Sequence, residues 1–565
     1  MPTIQVDFED LQKLMGITLP ASDEELDEVL AYVKGEVKMR VGSELHIEIK
    51  DSNRPDLWNV EGIVRALKGF LSIEVGAKKY RIAGNSGVKI HVDPRLRDIR
   101  PYIACAVVKG LELDDRAIRS FIHLQDKLDL TYGRRRRRTS IGLYNFDLIT
   151  PPLHYDVSGP DEISFIPLGF DEEMTLKEIL EKHPKGIEYG HIVRSHPVWP
   201  ILLDSKRKVL SFPPIINSND LGRVTEETRN VLIEVTGTRL STVINTLNIT
   251  TIAVSDRGGE IYSAEIYYPY GDRRIDVTPQ FTDRVMEVDT KSIRKLLGLD
   301  LTSAEVKELL LKARFGVKDL SESKVAVEVP FYRVDVIHPV DVIEDIAVAY
   351  GYNRIKPAWR PPSTIGGVAP EREFANFMRE LMLGLGYQEV LTFTLTNLDS
   401  LFVKMNLECG KAVEIANPKI MSFTHVRSWL LPSLMEFLGH NTHVEYPQRI
   451  FEIGKAVIYD EERENRFREI DRLASVSAHV NADFTEVKSC VNYLMENLGV
   501  KFDLEPVEHG SFIDGRSALI LVDDREVGVL GEVHPEVLVN WGLEIPVAAL
   551  ELDLTAIYEV KKRSS

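Results

Sequence analysis

The segment NVLIEVTGT, residues 230–238, places a carboxylate and a hydroxyl close together in the sequence. Side chains alternate between the two faces of a β-strand, so a strand here puts Leu232, Glu234 and Thr236 on one face. A polar pair of this kind either meets solvent or lines a pocket that hydrogen-bonds a ligand. The spacing therefore makes Glu234 and Thr236 candidate binding residues.

Four carboxylates lie between positions 335 and 345: Asp335, Asp341, Glu344 and Asp345. Pro339 stands where a helix can begin, which puts the last three at i, i+3 and i+4 on one helical face. Like charges at this spacing repel each other unless a cation or an arginine compensates them. The cluster is either a site of hard oxygen ligands suited to Mg²⁺ or an acidic solvent face favoured by the helix N-terminus.

The densest positive charge in the sequence is an unbroken run of arginines: Arg134, Arg135, Arg136, Arg137 and Arg138. The formal net charge is −18, which excludes a surface that is basic all over, so any contact with nucleic acid must use a local patch. Arginines bind phosphates through charge-assisted and often bidentate hydrogen bonds. The run is either such a patch or a solvated loop.

Nucleophilic and metal-thiolate chemistry have little support in the sequence. No Ser-His-Asp or Cys-His arrangement is apparent. The cysteines Cys105, Cys409 and Cys490 lie far apart, which excludes CxxC metal spacing and argues against a disulfide framework. We expect them to be buried thiols.

Local signals predict the elements that carry these residues. Ser22 with Glu25, and Thr302 with Glu305, have the spacing of capping boxes at helix starts. A second N-terminal helix follows the polar loop DSNRPDL, residues 51–57. Residues 91–265 are rich in short β-type runs broken by Pro and Gly. The stretch PAWRPPSTIGGVAP, residues 357–370, has the composition of a linker.

Size and composition indicate a modular globular chain. At 565 residues it is too long for one hydrophobic core. No apolar run approaches the roughly 20 residues needed to span a bilayer. The acidic start MPTIQVDFED lacks the features of a secretory signal. We therefore expect a cytoplasmic protein without membrane contact.

Segments spread over the whole chain resemble the β subunit of phenylalanine-tRNA ligase. They are DSNRPDLWNVEGIVRAL (51–67), RRRRRTSIGLYNFD (134–147), YRVDVIHPVDVIEDIAVAYGYNRI (332–355), IANPKIMSFTHVRSWLLPSLMEFLGHN (415–441), RIFEIG (449–454) and GEVHPEVLVNWGL (531–543). The chain has no room for the bacterial form's extra oligonucleotide-binding and anticodon-binding domains. Its compact length is similar to the archaeal or eukaryotic type, and the choice between these two stays open.

The resemblance implies a multidomain α+β fold. Its parts are an N-terminal α/β region (1–90), a mixed α+β domain for tRNA binding and editing (91–268), a small helical, winged-helix-like domain with the acidic cluster (269–357), a linker (358–370) and a class II synthetase-like antiparallel sheet with helices (371–565). The last part lacks the ATP-binding arginine and the glycine-spaced strand of a catalytic core. GGVAPER at 366–372 ends in Glu371 and Arg372, but Pro370 and the helix after it favour a linker.

The resemblance also implies a function. With an α subunit, in an (αβ)₂ heterotetramer, the family attaches phenylalanine to tRNA(Phe), with ATP as substrate of the complex and Mg²⁺ as cofactor. Phenylalanine and ATP bind through α. This chain hydrolyses mischarged tyrosyl-tRNA(Phe), because an apolar pocket rejects an added hydroxyl only about a hundredfold. The implied editing pocket is Leu202, Ser211, Asn217, Glu234 and Thr236, with tRNA on Arg134 to Arg138 and Mg²⁺ on the acidic cluster.

Two other functions are compatible with the residues. One is a nucleic-acid-binding scaffold without chemistry, which would have no use for the face formed by Leu232, Glu234 and Thr236. The other is a free-standing aminoacyl-tRNA deacylase, which would leave the synthetase-like core without a purpose.

Overall fold

The computed structural model describes residues 2–271, 275–321, 323–359 and 364–564, apart from the side chain of residue 564. The chain forms two compact units, Met1–Ala358 and Trp359–Ser565. Together they have the mixed α+β, multidomain character that the sequence predicts. No helix in the described ranges is long and apolar enough to cross a membrane.

The N-terminal part of the first unit packs helices on a small sheet. Its elements are β1 (Thr3–Asp7), α1 (Phe8–Met15), α2 (Asp23–Leu30), β2 (Gly35–Val41), β3 (Glu44–Ile49) and α3 (Val60–Phe70). The strands pair antiparallel in the order β1-β3-β2. Ser22 caps α2 by accepting the N–H of Glu25 at 3.3 Å, which confirms the predicted helix start.

The middle part of the first unit is built on a large mixed sheet. Its elements are β4 (Ile82–Val92), β5 (Tyr102–Lys109), α4 (Asp115–Leu130), β6 (Thr139–Asn145), β7 (Leu153–Ser158), β8 (Ser164–Phe165), β9 (Met174–Thr175), α5 (Leu176–Lys182), α6 (Pro184–Tyr189), β10 (Trp199–Leu203), β11 (Val209–Phe212), β12 (Ile216–Asn217), β13 (Val231–Gly237), α7 (Leu240–Ser255), β14 (Glu260–Tyr267) and β15 (Ile275–Thr278).

Ten of these strands form one sheet in the order β12-β11-β10-β7-β4-β14-β5-β13-β6, with β15 added beside β14. Strand β13 lies between β5 and β6 and is buried along its whole length. Its faces alternate as predicted, because Val231, Ile233 and Val235 join one apolar core and Leu232 joins another.

The last part of the first unit combines helices with a small antiparallel sheet. Its elements are β16 (Arg284–Asp289), α8 (Thr290–Leu297), α9 (Ser303–Lys312), β17 (Gly316–Leu320), β18 (Lys324–Val329) and α10 (Pro339–Tyr350), with sheet order β16-β18-β17. The capping box of Thr302 and Glu305 at the start of α9 is confirmed, and so is the helix start at Pro339.

The second unit is a seven-stranded sheet with helices. Its elements are α11 (Pro370–Gly384), β19 (Gln388–Glu389), β20 (Leu395–Thr396), α12 (Leu398–Leu401), β21 (His425–Val426), α13 (Leu431–His440), β22 (Gln448–Tyr459), β23 (Phe467–Ala478), α14 (Phe484–Leu498), β24 (Asp503–Pro506), β25 (Phe512–Val522), β26 (Arg525–Val533), α15 (Pro535–Asn540), β27 (Val547–Asp553) and α16 (Leu554–Ser564).

The sheet order is β19-β22-β23-β27-β26-β25-β24, and every pair is antiparallel except β19 with β22. Glu371 and Arg372 lie on the first turn of α11, so this Glu-Arg pair is not on a strand. Cys105 and Cys490 are buried as expected, whereas the expectation for Cys409 is wrong, because it is exposed.

Buried ion pairs join α3 to the middle part of the first unit. Arg257 donates to Glu61 at 2.5 Å and to both carboxylate oxygens of Asp10 at 2.7 Å. The hydroxyl of Ser120, on α4, donates to the other oxygen of Glu61 at 2.7 Å. Burial raises the pKa of Glu61, and the Arg257 charge opposes that rise. The position of α4 is therefore tied to a charge on α3.

A second set of ion pairs joins the loop before α3 to the start of α10. Arg54 makes a bidentate pair with Asp56 at 2.9 and 2.8 Å and lies 3.7 Å from Asp335. Burial tends to raise the pKa of Asp335, but the charges of Arg333 and Arg54 outweigh it and hold the pKa at about 2. We call these pairs and those of Glu61 the α3 ion-pair network.

Removing one partner from this network leaves a buried charge uncompensated. We expect Arg257→Met to destabilise α3 and α4 by about 3 to 5 kcal/mol. The measurement is native-state hydrogen exchange of the amides of both helices. Arg119→Met is the matched control, because Arg119 pairs with Asp115 at the surface, where a pair is worth under about 1 kcal/mol. Equal, small effects of the two variants would contradict the structural role of the network.

Candidate functional site

A cavity of about 280 Å³ opens beside Glu234 in the first unit. One wall comes from α4, and the opposite rim comes from the segment between β11 and β12. The lining is mainly apolar and includes Ile118, Phe121, Ile122, Ile141, Leu143, Phe212, Pro213, Pro214, Ile215 and Ile216. Its size and lining are those of a site for a small, largely apolar group held by few polar contacts.

Glu234 is the carboxylate at this cavity and is only 3% exposed. Its Oε2 accepts a hydrogen bond from the Tyr144 hydroxyl at 2.8 Å, whereas its Oε1 has no hydrogen-bond partner among the described residues. Burial raises the pKa of Glu234 to about 7, although the bond from Tyr144, the charge of Arg100 and the hydroxyl of Thr236 oppose the rise. A buried acceptor without a partner costs free energy unless a ligand satisfies it.

The glycine opposite Glu234 makes room for this contact. Gly142 on β6 pairs in register with Glu234 on β13. A Cβ at position 142 would lie 2.2 Å from the Tyr144 hydroxyl and 2.6 Å from Glu234 Oε2. Any other residue at 142 would displace one of these side chains. Neither Gly142 nor Tyr144 was predicted from the sequence, although their spacing of two in SIGLYNFD places them on one strand face.

Three of the predicted pocket residues come together at the cavity. Ser211, Asn217 and Glu234 line it. The Asn217 amide donates to the carbonyl oxygen of Leu143 at 3.3 Å. Leu202 does not line the cavity; it is fully buried on β10, where it pairs in register with Ser211.

Thr236 does not line the cavity either, and a buried arginine binds it. Arg100 is 2% exposed and donates from Nε to Thr236 Oγ1 at 2.9 Å, and from Nη2 to Ser140 Oγ at 3.0 Å. Its Nη1 donates to the carbonyl oxygen of Arg136 at 3.1 Å. No local pattern marked Arg100, since its partners lie far along the chain.

The arginine run divides into exposed residues and one inward residue. Arg134, Arg135 and Arg137 are exposed, and Arg138 is half-buried. Arg136 is buried at 8% exposure and lines the cavity, where it donates to the carbonyl oxygens of Pro214 and Ile215 at 3.1 and 2.8 Å. Its Nε lies 3.0 Å from the carboxylate of Asp129. The inward arginine therefore holds the cavity rim.

The four carboxylates near α10 all have partners within the protein, and two of them share one arginine. Arg333 donates to Asp335 at 2.7 Å and to Asp345 at 2.5 Å. The oxygens are ligands of the kind that Mg²⁺ prefers. Within the ranges that the structure describes, however, no three metal-ligating side chains converge. The magnesium site at this cluster stays a prediction.

The other two members of the cluster are also engaged. Asp341 accepts the backbone N–H groups of Ile337 and His338 at 2.8 and 2.7 Å, which caps α10. Glu344 accepts from Lys34 at 2.5 Å. A cation at this place would have to compete with these internal partners.

Two family models match the chain. The model described as the phenylalanyl tRNA synthetase beta chain CLM domain covers residues 357–554, and the tRNA synthetase B5 domain covers residues 286–352. Among solved structures, an N-terminal fragment of the phenylalanyl-tRNA synthetase β-subunit from Pyrococcus horikoshii superposes with a TM-score of 0.59 and 43% identity. That match covers 62% of this chain and 100% of the fragment.

Whole-length relatives carry the same description. The phenylalanine–tRNA ligase β subunit of Pyrococcus furiosus is 46% identical over 562 residues, which cover 99% of this chain and 100% of the relative. The β subunit of Thermofilum pendens is 41% identical, with coverage of 99% and 98%. At this identity and coverage, the chain belongs to the family of phenylalanine–tRNA ligase β subunits.

Proposed function

We propose that this β subunit removes tyrosine from mischarged tRNA(Phe) in the cavity beside Glu234, while a separate α subunit attaches phenylalanine. The observation that carries the editing role is the unpartnered Oε1 of Glu234 at the wall of a mainly apolar cavity. An aromatic side chain fits the apolar lining, and a phenol supplies the hydrogen-bond donor that the carboxylate lacks.

The selectivity of such a site follows from the cost of an unsatisfied charge. A tyrosyl group donates its phenolic hydrogen to Glu234 Oε1. A phenylalanyl group would fill the same space and leave the carboxylate unpaired, which costs more than a missing neutral bond. The site therefore favours the wrong product for hydrolysis and spares the correct one.

Hydrolysis itself does not use a side-chain nucleophile of the usual kinds in this proposal. Ser140 and Ser211 line the cavity, but its lining includes no Cys and no His that could activate a serine. A water molecule positioned at the ester, assisted by the terminal hydroxyl of the tRNA, would then attack the carbonyl carbon and release tyrosine. Glu234 serves as the phenol acceptor rather than the base.

The second unit supports a role in binding α. The one glutamate-arginine pair considered for a nucleotide strand lies on helix α11. Leu391 and Phe393 are 81% and 77% exposed, as expected for apolar side chains that another chain covers. We place the aminoacylation chemistry, with phenylalanine, ATP and Mg²⁺, on α, and infer an (αβ)₂ assembly in which this unit is catalytically silent.

We expect Glu234→Gln to separate editing from charging. Single-turnover hydrolysis of preformed tyrosyl-tRNA(Phe) should fall about ten to a hundredfold, because a charged hydrogen bond to a buried hydroxyl is lost. Phenylalanine charging with α should stay unchanged. Glu260→Gln, at an exposed glutamate of the same sheet, is the control. Equal hydrolysis rates of wild type and Glu234→Gln would remove Glu234 from the site.

The exposed arginines are proposed to bind the tRNA backbone. Replacing Arg134, Arg135 and Arg137 by Ser should weaken tRNA binding and flatten its salt dependence by about two to three units of log–log slope, because fewer counterions are released. Arg136 is kept because it holds the cavity rim. The control variant replaces the exposed Lys206, Arg207 and Lys208 by Ser, which removes the same three positive charges outside the arginine run. Identical slopes for both triple variants would make the run a solvated loop.

The magnesium site on the acidic cluster remains a prediction for the assembled enzyme. Asp341→Asn with Glu344→Gln removes two of four proposed ligands and should weaken Mg²⁺ binding or α association, measured by calorimetry. Asp300→Asn with Glu308→Gln, at exposed acids of the same part, is the matched control. If both double variants behave like wild type, the cluster acts only through its internal partners.

A further inference from the structure

We propose that Tyr144 is a positioning residue that sets the specificity of the cavity: it occupies one oxygen of Glu234 and leaves the other as the single acceptor for the substrate's phenol. The inference rests on the proposed editing function. Tyr144 lies outside the cavity lining, yet it determines how many oxygens of Glu234 can accept a hydrogen bond from the substrate.

The hydrogen bonds at Tyr144 have one consistent direction. Its hydroxyl lies 2.8 Å from Glu234 Oε2 and 2.8 Å from Ser211 Oγ. A phenol has one proton to donate, and a carboxylate is a stronger acceptor than a hydroxyl. Tyr144 therefore donates to Glu234 and accepts from Ser211. This relay fixes Oε2 and leaves Oε1 of Glu234 without a partner.

Tyr144 acts through Glu234 and not on the substrate. Its side chain is fully buried and is absent from the residues that line the cavity, whereas Ser211 and Glu234 both line it. The space for its hydroxyl exists because position 142 is glycine. The phenol of Tyr144 thus binds one oxygen of the carboxylate, and Oε1 can accept a hydrogen bond from the phenol of the substrate.

The charge state of Glu234 depends on this bond. Burial raises the pKa of Glu234 to about 7, and the hydrogen bond from Tyr144 lowers it. Without Tyr144 the pKa rises further, so at neutral pH the group is protonated more often. A protonated carboxyl has a donor as well as an acceptor, and it binds the phenol of the substrate less strongly than a carboxylate does. Loss of Tyr144 should therefore lower editing most on the acid side.

The test is single-turnover hydrolysis of tyrosyl-tRNA(Phe), measured against pH with the full chain bound to its α subunit. Tyr144→Phe should hydrolyse roughly tenfold more slowly near neutral pH and lose activity at a higher pH than wild type does. On a Glu234→Gln background the same change should add little, because the two residues act as one unit.

Tyr268→Phe is the matched control. Tyr268 is a buried tyrosine of the same part, and its hydroxyl donates to the backbone oxygen of Ile103 at 2.6 Å, with no bond to Glu234. Its rate and pH profile should match those of wild type. Incorporation of 3-fluorotyrosine at 144, a more acidic phenol, should move the acid limb to lower pH and tests the same bond without deleting it.

The outcomes separate the two proposals. Absence of hydrolysis by wild type would overturn the editing function itself. If wild type hydrolyses and Tyr144→Phe retains both its rate and its pH limb, the role of Tyr144 is refuted. Additive losses in the double variant, or an unmoved limb with 3-fluorotyrosine, would also refute it. A shift of the acid limb to higher pH in Tyr144→Phe, together with a shift to lower pH with 3-fluorotyrosine, would establish the role of Tyr144.

Discussion

The first unit depends on the pairing of charges buried around helix α3. An isolated buried charge is so costly that each of these groups must meet its partner when the chain folds. Glu61 receives Arg257 and Ser120, and Arg54 receives Asp56 and lies near Asp335. Segments far apart in sequence are thereby held in one arrangement. Because Ser120 belongs to α4, the same pairing positions one wall of the cavity.

At the cavity, a buried carboxylate is only partly paired. Arg100 is buried and donates hydrogen bonds to Thr236, Ser140 and a backbone oxygen, whereas Glu234 keeps one oxygen without a partner. The contrast between these neighbours gives the site its chemistry. A buried acceptor without a partner favours the binding of a ligand that donates a hydrogen bond to it.

The second unit shows the reverse condition, because the buried charges of Arg427, Glu452 and Glu551 have internal partners. Arg427 pairs with Glu452 at 2.8 Å, and Glu551 accepts the backbone N–H groups of Leu430 and Leu431 and a guanidinium hydrogen of Arg472. The contacts of Glu551 join strands β23 and β27 to the N-terminus of α13. Those carboxylates and Arg427 are already engaged in internal bonds, which agrees with the proposal that this unit binds the α subunit and carries no catalytic site.

The sequence by itself determined the family, the helix starts at Ser22, Thr302 and Pro339, and the alternation of strand β13. These features depend on residues within a few positions of each other, where hydrogen bonding and side-chain direction are local. Only the tertiary structure decided that Arg136 turns inward, that one arginine, Arg333, binds two of the four carboxylates, and that Tyr144 hydrogen-bonds Glu234. Tyr144 and Glu234 are 90 residues apart, and a bond at that separation exists only because β6 and β13 pair side by side.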